Sequence, residues 1–212
     1  MTTELLNIFV PAFVTLFVVI DPVGMAPIFA IMTDGGGEKY RRRMAIRGSL
    51  FGALILIFFG LFGRPFLDAL GISMDAFRIA GGFMLFVVAF EMVFEKRVER
   101  REKAANRMAE EQSDDEDISV FPVAIPMLAG PGAITSVLLL ISSHQGDHAG
   151  QSAVYAAILA VFAITLVLFI AAGAIVRMMG KTASALISRV LGVVVAALAT
   201  QYMLDGLAGV LG

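Results

Sequence analysis

The sequence predicts an all-α membrane protein with six transmembrane helices. Hydrophobic residues make up 58% of the 212 residues, only 16% are charged, and the mean hydropathy is +0.87. A water-facing surface does not tolerate such a composition, so the expected surrounding is a lipid bilayer. The charged residues are concentrated in short stretches between long apolar runs, which is the pattern of loops between membrane spans.

Six apolar runs are near or above the ~20 residues that a helix needs to cross a bilayer. They lie at 5–33, 44–63, 72–94, 119–143, 153–176 and 183–211. Drawn as one straight helix, the first run would measure about 43 Å against a hydrocarbon core of about 30 Å. We therefore expect runs one, four and six to tilt, break or project from the bilayer.

The basic residues predict the orientation of these spans. With the N-terminus outside, 14 of the 16 lysines and arginines fall on the cytoplasmic side, and only Arg64 and Arg78 remain outside. Cytoplasmic loops carry the excess of basic residues in membrane proteins. Both termini are therefore expected to be external.

The chain divides into a first three-helix repeat at 1–94, a charged cytoplasmic linker at 95–117 and a second three-helix repeat at 118–212. Segment 78–81 (Arg-Ile-Ala-Gly) aligns with 189–192 (Arg-Val-Leu-Gly) at an offset of 111 residues. Segment 21–24 (Asp-Pro-Val-Gly) aligns with 130–132 (Gly-Pro-Gly) at an offset of 109. Because each repeat has an odd number of spans, the two repeats must be inverted relative to each other.

Proline and glycine interrupt helices one and four at corresponding places. Pro22 and Pro131 have no amide hydrogen and so remove helical hydrogen bonds, while Gly24, Gly130 and Gly132 permit an unwound backbone. Secondary transporters often bind their substrate at the bilayer midplane between such interrupted helices. The alternative is that these prolines only kink packed helices.

Together the two breaks predict a binding site for a small zwitterion. Amides in the helical turn after Gly132 would attract a carboxylate, with a hydroxyl contact from Thr135. Asp21 and nearby carbonyl groups would hold the ammonium group, and Asp21 is the candidate for proton coupling. An ionised carboxylate costs about 2.5–3.5 kcal/mol in the middle of a span, which calls for a reason. The alternative reason is that Asp21 caps the helix that restarts at Pro22.

Arg78 and Arg189 occupy matching places near the starts of spans three and six. Such side chains can extend to the membrane interface. The alternative is that they form ion pairs, with Asp21 or a freed carbonyl group as the partner.

Several classes of function are excluded or disfavoured. The chain has no cysteine, which excludes disulfides and thiolate metal sites, and its net charge of −2 does not favour nucleic acid. No phosphate-binding loop of the usual spacing is present, so transport would have to run on ion gradients. We expect no metal, no cofactor and no catalytic residues, and the protein is not expected to be an enzyme.

Four segments resemble the MarC family of bacterial and archaeal inner-membrane proteins. They are 19–29 (VIDPVGMAPIF), 77–82 (FRIAGG), 124–135 (AIPMLAGPGAIT) and 188–192 (SRVLG). The resemblance covers nearly the whole chain. It implies a six-span inverted-repeat transporter in the inner membrane, and members of the family include proton-coupled neutral amino acid transporters of the SnatA type.

The residues and the resemblance together predict a secondary transporter of small neutral amino acids coupled to a proton or another cation. Small residues around the two breaks favour a ligand of the size of glycine or alanine. One alternative is the efflux of other metabolites or drugs, which would need a wider, aromatic-lined cavity. The other is a membrane scaffold without transport activity, since small residues also let helices pack closely.

Overall fold

The computed structural model describes residues 2–94, 96, 99, 100, 103 and 117–211, with only the backbone described for Thr2 and for 175–185. The described residues contain eight helices of ten residues or more and no strand. The helices are α1 Thr2–Ile20, α2 Pro22–Met32, α3 Gly37–Ala69, α4 Met74–Val93, α5 Ser119–Leu128, α6 Pro131–Ser143, α7 His148–Ile170 and α8 Ala172–Leu211.

Five stretches of the described chain are long and apolar enough to cross a membrane. They are Thr3–Met32, Gly37–Ala69, Met74–Val93, His148–Ile170 and Leu186–Leu211. Helices α5 and α6, whose axes differ by 61°, make a sixth if the bent pair is counted as one span. The prediction of an all-helical membrane protein is therefore confirmed, with five or six spans.

Ion pairs connect the two ends of the predicted charged linker to helices. Within 95–117, the described residues are Lys96, Glu99, Arg100, Lys103 and Asp117. Arg100 donates two hydrogen bonds, of 2.6 and 3.0 Å, to Glu91 near the end of α4, and Arg47 of α3 pairs with Asp117. A hydrogen bond from the Ser119 hydroxyl, supported by the Ser119 amide and by Arg47, lowers the pKa of Asp117. Asp117 therefore keeps its charge beside Arg47.

The helices of the first half pack mainly against helices of the second half. Helix α4 packs along α8, and α3 packs on α5, α6 and α7. Helices α1 and α2 pack on α7, while α2 also contacts α8 and α1 also contacts α6. Phe29 of α2 stacks on Phe169 of α7 with the ring centroids 4.2 Å apart. The buried core consequently lies between the two halves.

Helices α4 and α8 form a close antiparallel pair. A Cβ atom added to Gly82 would lie only 2.7 Å from the carbonyl oxygen of Ala199, and one added to Gly206 would lie 2.7 Å from the carbonyl oxygen of Asp75. The beginning of α4 thus faces the end of α8. Small residues allow this approach because lipid supplies no hydrophobic force to drive helices together, so association depends on close packing.

Replacing Gly82 with alanine is expected to lower the free energy of unfolding by about 1–3 kcal/mol, as overpacking usually does. The added methyl group would overlap a backbone oxygen, which cannot move without separating the helices. Helix propensity alone favours alanine by about 1 kcal/mol, so the sign of the effect tests the contact. Thermal unfolding of the purified protein in detergent measures it. Phe83→Leu, at an exposed position of the same helix, is the control and should unfold like the parent. A Gly82→Ala variant as stable as the parent would contradict the close contact.

Candidate functional site

A single residue, Asp21, separates α1 from α2. Its backbone is left-handed, with φ 55° and ψ 59°, and among the described residues it is the only non-glycine with positive φ. Aspartate and asparagine tolerate this conformation better than other side chains do. The Asp21 amide donates to the Phe17 carbonyl at 2.9 Å, and the Asp21 carbonyl accepts from the Met25 amide at 3.0 Å. Pro22 occupies the first position of α2, where a missing amide hydrogen is tolerated.

The carboxylate of Asp21 is buried, at 2% exposure, and accepts hydrogen bonds from both halves of the protein. Its Oδ1 accepts from the Gly24 amide in the first turn of α2 at 3.1 Å. Its Oδ2 accepts from the Ser188 hydroxyl of α8 at 2.9 Å, across 167 positions of the sequence. The first contact is the helix cap that the sequence offered as the simpler explanation. The second contact is not required for capping.

Gly24 makes the Ser188 contact possible. A Cβ atom at this position would overlap Asp21 Oδ2 and lie 2.5 Å from Ser188 Oγ. Any side chain would therefore push the hydroxyl and the carboxylate apart. Asp21, Pro22 and Gly24, all predicted as site residues, form one buried group in which the glycine provides the space.

The second break lies between α5 and α6. Helix α5 is irregular, because Phe121 and Ile125 within it have extended backbones, and near its end the Ala129 amide donates to the Ala124 carbonyl, five residues earlier, at 2.8 Å. Gly130 is extended, with φ −79° and ψ 171°, and a Cβ atom there would lie 2.6 Å from the Pro126 carbonyl oxygen. Pro131 follows as the first residue of α6. The amides in the first turn of α6 receive no side-chain cap from Gly130.

The start of α6 lies against the last turn of α1. A Cβ atom added to Gly132 would be 3.5 Å from Val19 Cγ1 and 3.2 Å from Leu85 Cδ2 of α4. Thr135, buried at 5% exposure, packs its methyl group against Gly81 of α4. The structure thus places Gly132, two residues after the second break, against Val19, two residues before the first. It also surrounds Gly132 with apolar side chains.

The two predicted arginines lie in different environments. Nη1 of Arg78 donates to Asp75 at 2.7 Å, so this arginine has its ion pair one turn earlier on its own helix. Arg189 is exposed. From the same part of α8 its neighbour Ser188, which the sequence reasoning did not single out, donates a hydrogen bond to Asp21. The available signal was a hydroxyl side chain within a largely apolar span.

The chemistry of the site follows from its donors and acceptors. A buried carboxylate with a backbone amide and a hydroxyl as partners can accept a proton or bind an ammonium group. Across the parts of the chain that the structure describes, no three His, Cys, Asp or Glu side chains are grouped as metal ligands.

Comparison with known proteins gives a consistent match along the chain. Residues 6–211 match the profile described as MarC family integral membrane protein. A UPF0056 membrane protein of Archaeoglobus fulgidus is 34% identical over 203 residues, which cover 96% of this chain and 93% of that protein. The UPF0056 membrane protein YvbG of Bacillus subtilis is 33% identical over 201 residues, 94% of each chain. No solved structure matches.

The helical spans and the buried polar site define a multi-pass integral membrane protein. The chain belongs to the MarC family, as the profile match and the relatives above show. The resemblance noted in four segments of the sequence is thereby confirmed.

Two substitutions separate the structural contributions of Asp21. Asp21→Asn keeps an oxygen for the Gly24 amide and tolerates the left-handed backbone, so it should unfold within a few degrees of the parent. Asp21→Ala loses the cap, worth about 1 kcal/mol, and adds about 1–2 kcal/mol of backbone strain. Thermal unfolding in detergent should therefore rank the parent and Asp21→Asn well above Asp21→Ala. Equal stability of the alanine variant would mean that neither the cap nor the backbone geometry is present.

Proposed function

We propose that this protein is a secondary active transporter that uses a proton gradient to move small neutral amino acids across the inner membrane. The observation that carries the proposal is the carboxylate of Asp21, which is buried at 2% exposure inside a broken apolar span. A carboxylate is expensive in such a place, and residues of this kind usually mark substrate or proton paths. Its contact with Ser188 brings a second span, from the other half, into the site.

The proposed substrate is held between the two breaks. Its carboxylate binds the first-turn amides of α6, at Gly132 and Ala133, because a helix N-terminus carries partial positive charge. Its ammonium group binds Asp21. The contact of Gly132 with Val19 supports this arrangement, since it brings the start of α6 next to the first break.

Paired contacts between α4 and α8 support the inverted repeat. Gly82 faces Met203, at 2.7 Å from an added Cβ atom to Met203 Cγ, and Gly192 faces Met92, at 2.9 Å from an added Cβ atom to Met92 Cβ. The offset of 111 residues that aligns Gly81 with Gly192 also aligns Met92 with Met203. A glycine–methionine contact thus recurs with the roles of the helices exchanged but displaced by one residue, since the equivalent of Gly192 is Gly81 and the residue that faces Met203 is Gly82. An approximate twofold axis between the two helices would produce this pattern.

Helices α3 and α7 support the same axis. Gly52 faces Phe162 and Gly60 faces Tyr155, so the two helices run antiparallel. The same offset of 111 residues aligns Gly52 with position 163, which is next to Phe162. The contact of Gly52 therefore lies close to the proposed axis, where two equivalent spans would meet each other. An inverted pair of repeats around a central site is the architecture of many secondary transporters.

Two other functions are alternatives. Efflux of larger compounds would require a wide aromatic-lined cavity, whereas the side chains nearest Gly24 and Gly132 are Asp21, Ser188, Leu85, Val19 and Val88, none of which is aromatic. A scaffold without transport activity would account for the close glycine contacts of α4 and α8. It would not account for a carboxylate buried between the halves, and this favours transport.

Transport is tested with the purified protein in liposomes and a panel of labelled amino acids, with and without an inward proton gradient. We expect glycine or alanine to accumulate only with the gradient. Asp21→Asn should insert and fold but lose accumulation, because the amide side chain does not titrate and so cannot take up and release the coupling proton. Asp34→Asn, at an exposed position after α2, is the matched control and should transport normally. Accumulation at the parent rate by Asp21→Asn would place coupling elsewhere, and the absence of any gradient-dependent uptake would refute the transporter.

Topology is tested by reporter fusions along the chain. Fusions after Arg43 and Arg107 should be cytoplasmic, while those at Asp68, at His148 and at the C-terminus should be external, because 14 of 16 basic residues then lie inside. Alkaline phosphatase and green fluorescent protein report opposite sides and control for each other. Finding the Arg107 and His148 fusions on the same side would exclude the inverted repeat.

A further inference from the structure

Two buried hydroxyl groups stand out from the other polar side chains of the spans. Among the described residues, Ser49 Oγ and Ser136 Oγ are the buried side-chain atoms without a hydrogen-bond partner. Ser49 is 4% exposed and Ser136 is fully buried. A buried polar group without a partner is unfavourable, and in native proteins it usually marks a bound water or a functional position.

The usual arrangement for a hydroxyl in a membrane helix is a bond to a carbonyl of its own helix. Side chains that use it each bond the carbonyl four residues earlier at 2.8–2.9 Å; among the described residues these include Thr33, Ser143, Thr165 and Thr200. Ser49 and Ser136 do not form this bond. Their hydroxyl groups are therefore directed elsewhere.

Ser136 lies on the same side of the two breaks as helix α1. It is four residues after Gly132, on the same face of α6, and Gly132 packs against Val19 of α1. Helix α1 runs towards its break and α6 runs away from its own, so the two are antiparallel. Ser136 is four residues after Gly132, and Thr15 is four residues before Val19, so each lies about 6 Å along its helix from the Gly132–Val19 contact. Because the helices are antiparallel, Ser136 is level with Thr15, which is also buried.

Ser49 lies on the opposite side of the second break. It follows Gly48, whose added Cβ atom would lie 2.5 Å from Val123 Cγ1 and 3.4 Å from the Ser119 carbonyl oxygen. Both of these residues belong to α5, the segment that leads into the break, whereas Ser136 belongs to α6, which leaves it. Ser49 therefore follows a residue that contacts the segment before the second break, and Ser136 lies on the helix after it.

We infer that Ser136 and Ser49 bind water on two half-channels that lead to Asp21, Ser136 from the external face and Ser49 from the cytoplasmic face. The inference rests on the proposed function for the role of Asp21 as the proton acceptor. A bound water needs at least two polar partners. On the proposed path Thr15, level with Ser136 across the α1–α6 contact, would be the second partner there, and the Ser119 carbonyl, which lies beside the preceding Gly48, would be the second partner near Ser49.

The natural absence of cysteine makes the inference testable by single-cysteine labelling. Ser136→Cys and Ser49→Cys change one atom each, and Val137→Cys and Met44→Cys are controls at positions that are equally buried. The probe is a membrane-impermeant methanethiosulfonate carrying a trimethylammonium group, applied to right-side-out and to inside-out membrane vesicles. Modification is read by intact-protein mass spectrometry.

We expect Ser136→Cys to be modified from the outside and Ser49→Cys from the inside, each about tenfold faster than its control, because a thiolate forms only where water reaches. Labelling no faster than in the controls, or labelling of both positions from one face, would overturn the inference. If each position is labelled from its expected face but the protein transports no amino acid, the half-channels are supported and the proposed function is rejected. If the protein transports amino acids but neither position is labelled, the proposed function is supported and the half-channels are rejected.

A second variant separates a water site from a packing defect. Ser136→Ala removes the unpaired hydroxyl, so its melting temperature should equal or exceed that of the parent. If Ser136 binds water on the proton path, gradient-driven uptake should nevertheless fall severalfold, while exchange of substrate without a gradient is retained. Unchanged gradient-driven uptake in a stabilised Ser136→Ala would overturn the role of this residue.

Discussion

The arrangement of the site depends on one constraint, which is that the Asp21 carboxylate must find its partners within the protein. The lipid hydrocarbon around the spans offers no hydrogen-bond partner. The left-handed backbone lets the side chain fold back onto the Gly24 amide. The second partner, Ser188, comes from α8, and it can approach only because Gly24 has no side chain. The hydrogen bonds of the Asp21 carboxylate therefore require all three features together, namely the break in the first span, the glycine after it and the position of α8.

The position of Ser188 depends in turn on the packing of α8 against α4. At Gly82 and Gly206 the helices approach so closely that an added methyl group would meet backbone oxygen atoms. Contacts of this kind resist sliding, because protein interiors are packed too densely to deform continuously. In the proposed transporter, α4 and α8 would then act as a rigid pair, and the movement that opens the site would have to occur between α8 and the helices on either side of Asp21.

Local features of the site could be predicted from the sequence, and contacts between distant residues could not. Long apolar runs reveal spans, and Pro22 and Pro131 mark interruptions, because both effects act within a few residues. The Arg78–Asp75 pair could also have been predicted from the sequence, since residues three apart on a helix are neighbours. The bond between Asp21 and Ser188 joins positions 167 residues apart and depends on how α2 and α8 pack. The apolar surroundings of Gly132 depend in the same way on α1 and α4.

Capping and substrate binding need not compete for Asp21, because its two oxygens have partners on different helices. Oδ1 holds the Gly24 amide within the same turn, and that bond can persist while α2 remains helical. Oδ2 holds a hydroxyl from α8, so any separation of α8 from α2 breaks this bond first. A substrate ammonium group at Oδ2 would compete with the Ser188 hydroxyl for this oxygen and so favour the separated arrangement. A ligand shifts a conformational equilibrium only by the difference in its affinity for the two states. The exchange of partners at Oδ2 is where this protein would generate that difference.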